Sequence, residues 1–378
     1  MPGPEAIPGE LVREGERVMR LCNACRYCEG FCAVFPALER RLAFGEADLE
    51  YLANLCHNCG ECYHACQYAP PQEFALNFPR TLAELRIATY RKYAWPAAGA
   101  RLLRHGGRTV AVVAAAASAL LLAVLLGTAS PARFFAPHPV ADGSFYAVMS
   151  HGAMVLLFGA LGALACATLG AAAVRFWRGA GDPAAGAPDG ADLARALSDA
   201  LRLRYLDGDG DGCCYPDDVP SHRRQWFHHL TFYGFGLCFA STTVAAGYHY
   251  LLGRAGPYPL LSLPVVLGTL GGVGLVVGTT GLLWLKALRS PALVDPAQTG
   301  MDLGFLVLLL LTGASGLLLL GLRETGAMAT LLAAHLGLVV ALFVTLPYGK
   351  FVHGVHRFAA LLRNAQEQRR PRPRFGAD

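Results

Sequence analysis

Eight of the twelve cysteines in this 378-residue chain fall in two runs of one spacing, Cys22-x2-Cys25-x2-Cys28-x3-Cys32 and Cys56-x2-Cys59-x2-Cys62-x3-Cys66. Three thiolates this close can wrap one face of an iron–sulfur cubane, while the fourth, about a turn further on, reaches a neighbouring cluster. The spacing therefore predicts two [4Fe-4S] clusters side by side. One is expected on Cys22, Cys25, Cys28 and Cys66, the other on Cys56, Cys59, Cys62 and Cys32. Structural zinc usually draws two ligands from each of two separated loops, and disulfides between cysteines so crowded would strain the bridge. Both fit the pattern worse.

A second group able to do chemistry is a set of histidines in or beside apolar stretches: His151, His228, His229, His249, His335, His353 and His356. Polar side chains at membrane depth are costly, so each is a functional-site hypothesis. His335 and His353 are 18 residues apart; on one continuous helix that is five turns, which puts both rings on one face about 27 Å apart. His228 and His249 are 21 residues apart, about 60° from a shared face and roughly 31 Å along the axis. Antiparallel helices carrying such pairs suit one or two b-type haems. The expected pairs are His229 with His353 near the inner face and His249 with His335 near the outer. His228 stands as the alternative to His229, and His151 as a reserve outer ligand. The competing reading is interfacial histidines meeting headgroups, with His249 in an aromatic belt beside Tyr248 and Tyr250. His356 is expected at the surface.

The elements that must position these residues are legible in composition. The chain is 54% hydrophobic and 16% charged, against roughly 25% charged for soluble domains. Six stretches are long enough to cross a bilayer, near Thr109–Gly127, Phe145–Val174, Trp226–Leu252, Leu260–Leu285, Leu303–Leu322 and Ala327–Gly349. None of them contains Asp, Glu, Lys or Arg. The flanks on the side of the termini carry 23 Lys and Arg in all, and the three opposite loops carry 3. That asymmetry puts both termini and the clusters in the cytoplasm, with the spans in the inner membrane. Residues 1–20 are polar, so no secretory leader is expected.

The chain thus reads as all-α. A helical ferredoxin-like two-cluster domain occupies 1–100, and a six-span membrane domain 101–365 with a cytoplasmic loop 175–225. A basic tail covers 366–378. Helical spacing marks Gly9–Arg20 and Glu46–Leu55 in the head, and Ala191–Leu206 in the loop, after a Gly/Ala/Pro/Asp linker over Gly179–Gly190. Thr81–Tyr93 reads as a basic helix suited to the membrane surface.

Other signals are weaker. Asp207-Gly-Asp209-Gly-Asp211-Gly212 matches the first half of a calcium loop, but its twelfth position is Asp218 in place of a bidentate Glu, so a polar turn is favoured. Cys213 and Cys214 are adjacent and read as free thiols. The net charge of +5 follows membrane orientation, with no compact basic, aromatic-interleaved patch for nucleic acid. The spans lack carboxylates, and no pair of side chains suggests general acid–base or nucleophilic catalysis.

The runs CNACRYCEGFC and CHNCGECYHACQYAPP, followed by RQWFHHLTFYGFGLCFASTT and HLGLVVALFVTLPYGKFVHGVHRFAALLR, give the chain its family likeness. From about residue 17 to 365 it resembles the tricarballylate/citrate utilisation protein B family. The membrane half is similar to the gamma subunit of respiratory nitrate reductase, in which one helix carries two haem histidines, here falling on His335 and His353. The resemblance implies a membrane electron carrier that reoxidises the reduced flavin of an FAD-dependent, tricarballylate dehydrogenase-like partner and passes electrons to quinone. By that resemblance it is expected to be the quinone-reducing electron-transfer subunit of an oxidoreductase and not the substrate dehydrogenase itself. The alternative within redox chemistry is the reverse direction, quinol oxidation feeding a cytosolic acceptor of the heterodisulfide-reductase kind.

Overall fold

The structure is a computed structural model and describes residues 6–102, 106–139, 144–181 and 186–371. Residues 372–378 of the expected tail and 182–185 of the expected linker lie outside the described residues. Among the described residues the chain is all-α apart from one antiparallel two-residue ladder, Cys213–Cys214 with Pro220–Ser221.

The head is built from α1 (Gly9–Cys25), α2 (Val34–Leu38), α3 (Glu46–Leu55), α4 (Glu61–His64) and α5 (Phe78–Tyr93). The apolar faces of three of these helices close the core: Val18 and Met19 of α1, Leu49, Leu52 and Leu55 of α3, and Leu82 and Leu85 of α5 are all fully buried. Each such side chain contributes about 1.5–3 kcal/mol on burial. Helix α3 begins where Asp48 Oδ2 accepts from the Gly45 N–H (3.2 Å), and α5 where the Asn77 side chain accepts from the Arg80 N–H (3.2 Å). Both contacts satisfy N–H groups left orphaned at a helix start.

After α6 (Ala97–Leu102) come α7 (Gly107–Thr128), the short α8 (Pro131–Phe134), α9 (His151–Gly179), α10 (Gly190–Leu201), α11 (Arg223–Leu252), α12 (Leu263–Leu288), α13 (Pro296–Gly321), α14 (Met328–Thr345) and α15 (Val352–Arg369). Six of them, α7, α9, α11, α12, α13 and α14, are long and apolar enough to cross a membrane. Their outer faces are greasy, with Leu120 66%, Leu156 75% and Leu164 60% exposed. Apolar surface that extensive is stable against lipid, where a helix satisfies its own backbone. Inside the bundle, small residues let backbones touch. A Cβ on Gly278 would sit 2.6 Å from the Thr231 N, and one on Gly271 2.7 Å from the Cys238 N, so α11 and α12 can pack this closely only with glycine there.

Each of the six spans turns one end toward the head, alternately its start and its finish. Arg175 Nη1 at the end of α9 donates to the Ala94 carbonyl (3.1 Å), Arg224 Nη2 at the start of α11 to the His57 carbonyl (2.8 Å), and Arg289 Nη2 after α12 to the Asn58 side chain (2.8 Å). Gly106 before α7 abuts Gly300 in the first turns of α13, and Tyr348 after α14 bonds the Trp95 carbonyl (3.4 Å).

Several expectations change. The stretch drawn as Phe145–Val174 is interrupted: Ser144–Ala147 is a separate 3-10 turn, and α9 starts at His151 because the Ser150 hydroxyl accepts from the Ala153 N–H (3.3 Å). The span drawn from Leu303 starts at Pro296 and so contains a carboxylate, Asp302. The helix expected to lie on the membrane surface, α5, is instead central to the head, packed on α1 and α3 on one side and touching α9 and α13 on the other. Its Leu82, Leu85 and Ile87 outweigh its basic residues, most of which lie at the edges.

His335 and His353 do not share a helix. Helix α14 stops at Thr345, and α15 begins at Val352. Pro347 has no N–H to continue the ladder, and the Tyr348, Val352 and His353 N–H groups bond three residues back, to Thr345, Gly349 and Lys350 (3.2, 3.3 and 3.0 Å), in the tighter 3-10 manner. Five continuous turns between the two histidines are therefore lost.

The residues expected to begin a basic tail are helical through Arg369, and α15 completes the head core with Ala360 and Leu361. Arg41 and Glu367, each 9% exposed, pair at 2.5 Å; Asp48 also holds Arg41 (2.6 Å), and the Tyr51 hydroxyl donates to Glu367 (3.3 Å). Removing one partner of a buried pair strands the other. Glu367→Ala should therefore destabilise the head by about 3 kcal/mol, read as a lowered unfolding midpoint in detergent. Changing both residues together, Arg41→Met with Glu367→Leu, should recover most of it.

Candidate metal centres

The two cysteine loops are shaped by backbone turns. Helix α1 ends because Arg26 takes a left-handed conformation (φ 57°) and returns its N–H to the Cys22 carbonyl (2.9 Å). Cys22 and Cys25 thus sit on the last turn and Cys28 just beyond it. In the second loop Cys56 caps α3, and Gly60 is at φ 98°, where a side chain would also meet the Cys214 carbonyl at 3.0 Å. Glycine is required there on both counts. The Asn58 N–H lies 3.3 Å from the Cys56 sulfur.

The eight thiols line two adjoining cavities. Cys32, Cys56, Cys59 and Cys62 line one, with Phe31 and Pro79. Cys22, Cys25, Cys28 and Cys66 line the other, with Leu21, Tyr68 and Leu76. Phe35, Phe78 and Cys62 border both cavities, so they share a wall. The fourth cysteine of each run thus stands with the other run's triplet. Burial pushes the Cys28 and Cys59 thiols upward to about 12, with neighbouring cysteines adding to the effect. Burial likewise raises Cys22, Cys32 and Cys62. Thiols raised in this way become thiolates only against strong positive charge, which the iron of a bound cubane would supply. Among the described residues no three His, Cys, Asp or Glu side chains close around a single ion. The donor set and cradle fit a cluster.

The two loops differ in setting. Arg26, Tyr27, Glu29 and Gly30 of the first are exposed, whereas Cys56, His57, Asn58 and Gly60 of the second are buried against the ends of α11 and α12. The Asp207–Gly212 stretch is a turn leading into the Cys213–Cys214 strand, which covers the second loop: Cys213 and Tyr215 pack with Cys59 and Phe227. Nothing in the spacing of Cys213 and Cys214 announced that role.

Of the histidines, His228 and His353 come together, their ring centroids 6.2 Å apart and planes at 74°. His229, named first from the sequence, faces Tyr233 instead (5.7 Å); adjacent helical positions differ by about 100°, and α11 turns the earlier one inward. The His228–His353 spacing would let the two rings hold one metal between them. His353 Nδ1–H donates to the Lys350 carbonyl (2.5 Å), which makes Nε2 the lone-pair nitrogen of the neutral ring. Burial, then Lys350, holds its ring well below the ordinary histidine range, so it is neutral, as a ligand must be. Lys350 and Lys286 in turn grip Asp302 at 2.8 and 2.7 Å. This buried triad was missed because Asp302 stood one residue outside the drawn span.

The outer pair is not assembled. His249 stacks on His151 at 3.8 Å and 23° with Tyr250 edge-on at 4.9 Å, while His335 Nδ1 meets the Ser315 hydroxyl at 3.0 Å. His356, expected at the surface, is fully buried, stacked on Phe176 at 4.4 Å with Tyr90 and Tyr93 edge-on. It closes the joint between α15, α5 and α9 as an aromatic plug.

A ferredoxin-like helical head seated on the common ends of a six-helix membrane bundle defines a multi-pass membrane protein with an iron–sulfur type of domain. Comparison with known proteins agrees and narrows the class. Residues 15–92 match the family model described as the Citrate utilization protein B Fer4-like domain, and residues 104–374 match the one described as Citrate utilization protein B. The citrate utilization protein B of Escherichia coli is 53% identical over 358 residues, covering 94% of this chain and 93% of that protein. The chain belongs to the citrate utilization protein B family. No solved structure matches it.

Proposed function

We propose that the protein is the membrane electron carrier of a citrate or tricarballylate utilisation system. In this reading it accepts electrons from the reduced flavin of a dehydrogenase at the head and delivers them to quinone in the inner membrane. Two [4Fe-4S] clusters on the eight cysteines, with a b-type haem on His228 and His353, would supply the one-electron carriers between a two-electron donor and a two-electron acceptor.

The chain's own residues do the rest. The exposed loop carrying Tyr27 leaves the first cavity approachable by a partner protein. The buried second loop, braced by Arg224 and Arg289, seats the second cavity on the bundle and keeps water from it. The Lys350 carbonyl fixes the tautomer and orientation of His353, and Asp302 anchors Lys350 to α13. The arginine-rich flanks support a cytoplasmic placement of the inner face. The observation that carries the reading is the order of the parts: exposed cavity, shared wall, buried cavity, inner histidine pair. No such pairing supports a second haem on His249 and His335.

The test uses purified protein in proteoliposomes. Photoreduced flavin added outside should reduce the cluster absorbance, and a water-soluble quinone analogue should then reoxidise it within seconds. Reduction of the clusters with no reoxidation by quinone analogues would contradict the proposed acceptor.

A further inference from the structure

Four arginines from four separate segments converge on one short stretch of the second cysteine loop. Arg86 of α5 donates Nε to the Ala53 carbonyl and Nη2 to the Cys56 carbonyl, both at 2.8 Å. Arg357 of α15 donates to the same Cys56 carbonyl. Arg224 of α11 reaches the His57 and Asn58 carbonyls (2.8 and 3.2 Å), and Arg289 after α12 reaches the Asn58 carbonyl and side chain (3.1 and 2.8 Å). The Tyr215 ring lies against the guanidinium groups of both Arg224 and Arg289, 4.5 and 4.6 Å from its centroid.

None of the four forms an ion pair with a carboxylate among the described residues; all their hydrogen bonds go to uncharged groups. Arg86 is 3% and Arg289 8% exposed, and the Nε of Arg289 and of Arg357 find no acceptor. The nearby Asp302 is engaged by Lys286 and Lys350. One acid, Glu61, lines the second cavity. Four largely buried cations around one loop are strongly unfavourable unless an anion faces them. A cubane on four thiolates is such an anion and gains a further unit of negative charge on reduction. Among the described residues the first loop has no counterpart: its Arg26 is exposed, and the nearby Arg17 and Arg20 are paired with Glu14 and Glu16 on the surface.

We propose that Arg86, Arg224, Arg289 and Arg357 form a cationic collar that raises the reduction potential of the cluster on Cys32, Cys56, Cys59 and Cys62 above that of its neighbour. The collar thereby draws the electron toward the bilayer. This rests on the relay reading above. Transfer between the clusters moves one electron, with no bond made or broken, and fixed buried cations favour the more negative state at the loop they surround. The carbonyl contacts at the same time dock that loop onto the membrane helices, so that one set of side chains both seats and tunes the site.

The experiment is a redox titration of the full-length protein in detergent, followed by electron paramagnetic resonance. The second cluster's signal is identified as the one missing in Cys59→Ser. Arg289→Gln should keep both clusters' iron. It should shift the oxidised-to-reduced ratio of the second cluster about tenfold at a fixed potential, a midpoint lowered by about 59 mV for one electron. The first cluster should stay put, and Arg289→Lys should hold the wild-type value. An unmoved second cluster at full iron content would overturn the collar, as would an equal shift in both clusters. Loss of the second cluster in both the Gln and the Lys variant would likewise overturn it, since the collar would then only hold the loop in place. A wild-type protein without cubane signals would instead defeat the relay reading itself.

Discussion

Cys32→Ser should remove the same cluster as Cys59→Ser, and Cys66→Ser the same cluster as Cys25→Ser. Each variant should retain about four of the roughly eight irons that two cubanes require, and the surviving resonance signal should be identical within each pair. The expectation follows from the crossed lining of the two cavities, in which Cys32 stands with Cys56, Cys59 and Cys62, and Cys66 with Cys22, Cys25 and Cys28. Transfer from a flavin donor to quinone should fall at least ~100-fold in all four, beyond the 10- to 100-fold typical of losing a group that merely supports a ligand. Iron analysis with low-temperature resonance spectroscopy separates the outcomes. If Cys32→Ser pairs with Cys25→Ser instead, the crossing is wrong even if both clusters exist.

His228→Ala and His353→Ala should each abolish the α-band of reduced b-type haem, while His229→Ala should leave it in place. The basis is the 6.2 Å approach of the His228 and His353 rings and the Tyr233 contact of His229. The cluster signals should survive in all three variants, because the cysteine cavities are built from other elements. His335→Ala should also keep the band, since His335 is paired with the Ser315 hydroxyl and with no second imidazole ring among the described residues. Spectra of air-oxidised and dithionite-reduced protein read all four. Loss of the band in His229→Ala with retention in His228→Ala would reverse the assignment.

The parts of the molecule written locally were legible in the sequence. The cysteine spacing repeats a ligand geometry, α3 begins and ends at Glu46 and Leu55 as its apolar spacing dictates, and the six spans follow from length and apolarity alone. What stayed hidden depends on contacts between distant segments. Pro347 and Gly349 lie inside an otherwise helical pattern, and only the switch to bonds three residues back, from Tyr348 to His353, shows that this stretch divides α14 from α15. The basic face of α5 suggested a membrane surface, yet Arg86 is turned inward by carbonyls of the second cysteine loop. Glu367 looked like part of a charged tail until Arg41, 326 positions away, met it. The choice between His228 and His229 turns on the rotation of α11. That rotation is set by Gly271, Gly274 and Gly278 of α12 packing against it, which periodicity within α11 does not reveal.

The most direct check of the relay is the metal content and magnetic signature of anaerobically purified protein. The account predicts about eight iron and about eight acid-labile sulfide per chain. On dithionite reduction it predicts two cubane signals broadened by mutual coupling, because the cavities share the Phe35–Phe78 wall. Stoichiometric zinc with no labile sulfide would contradict it outright.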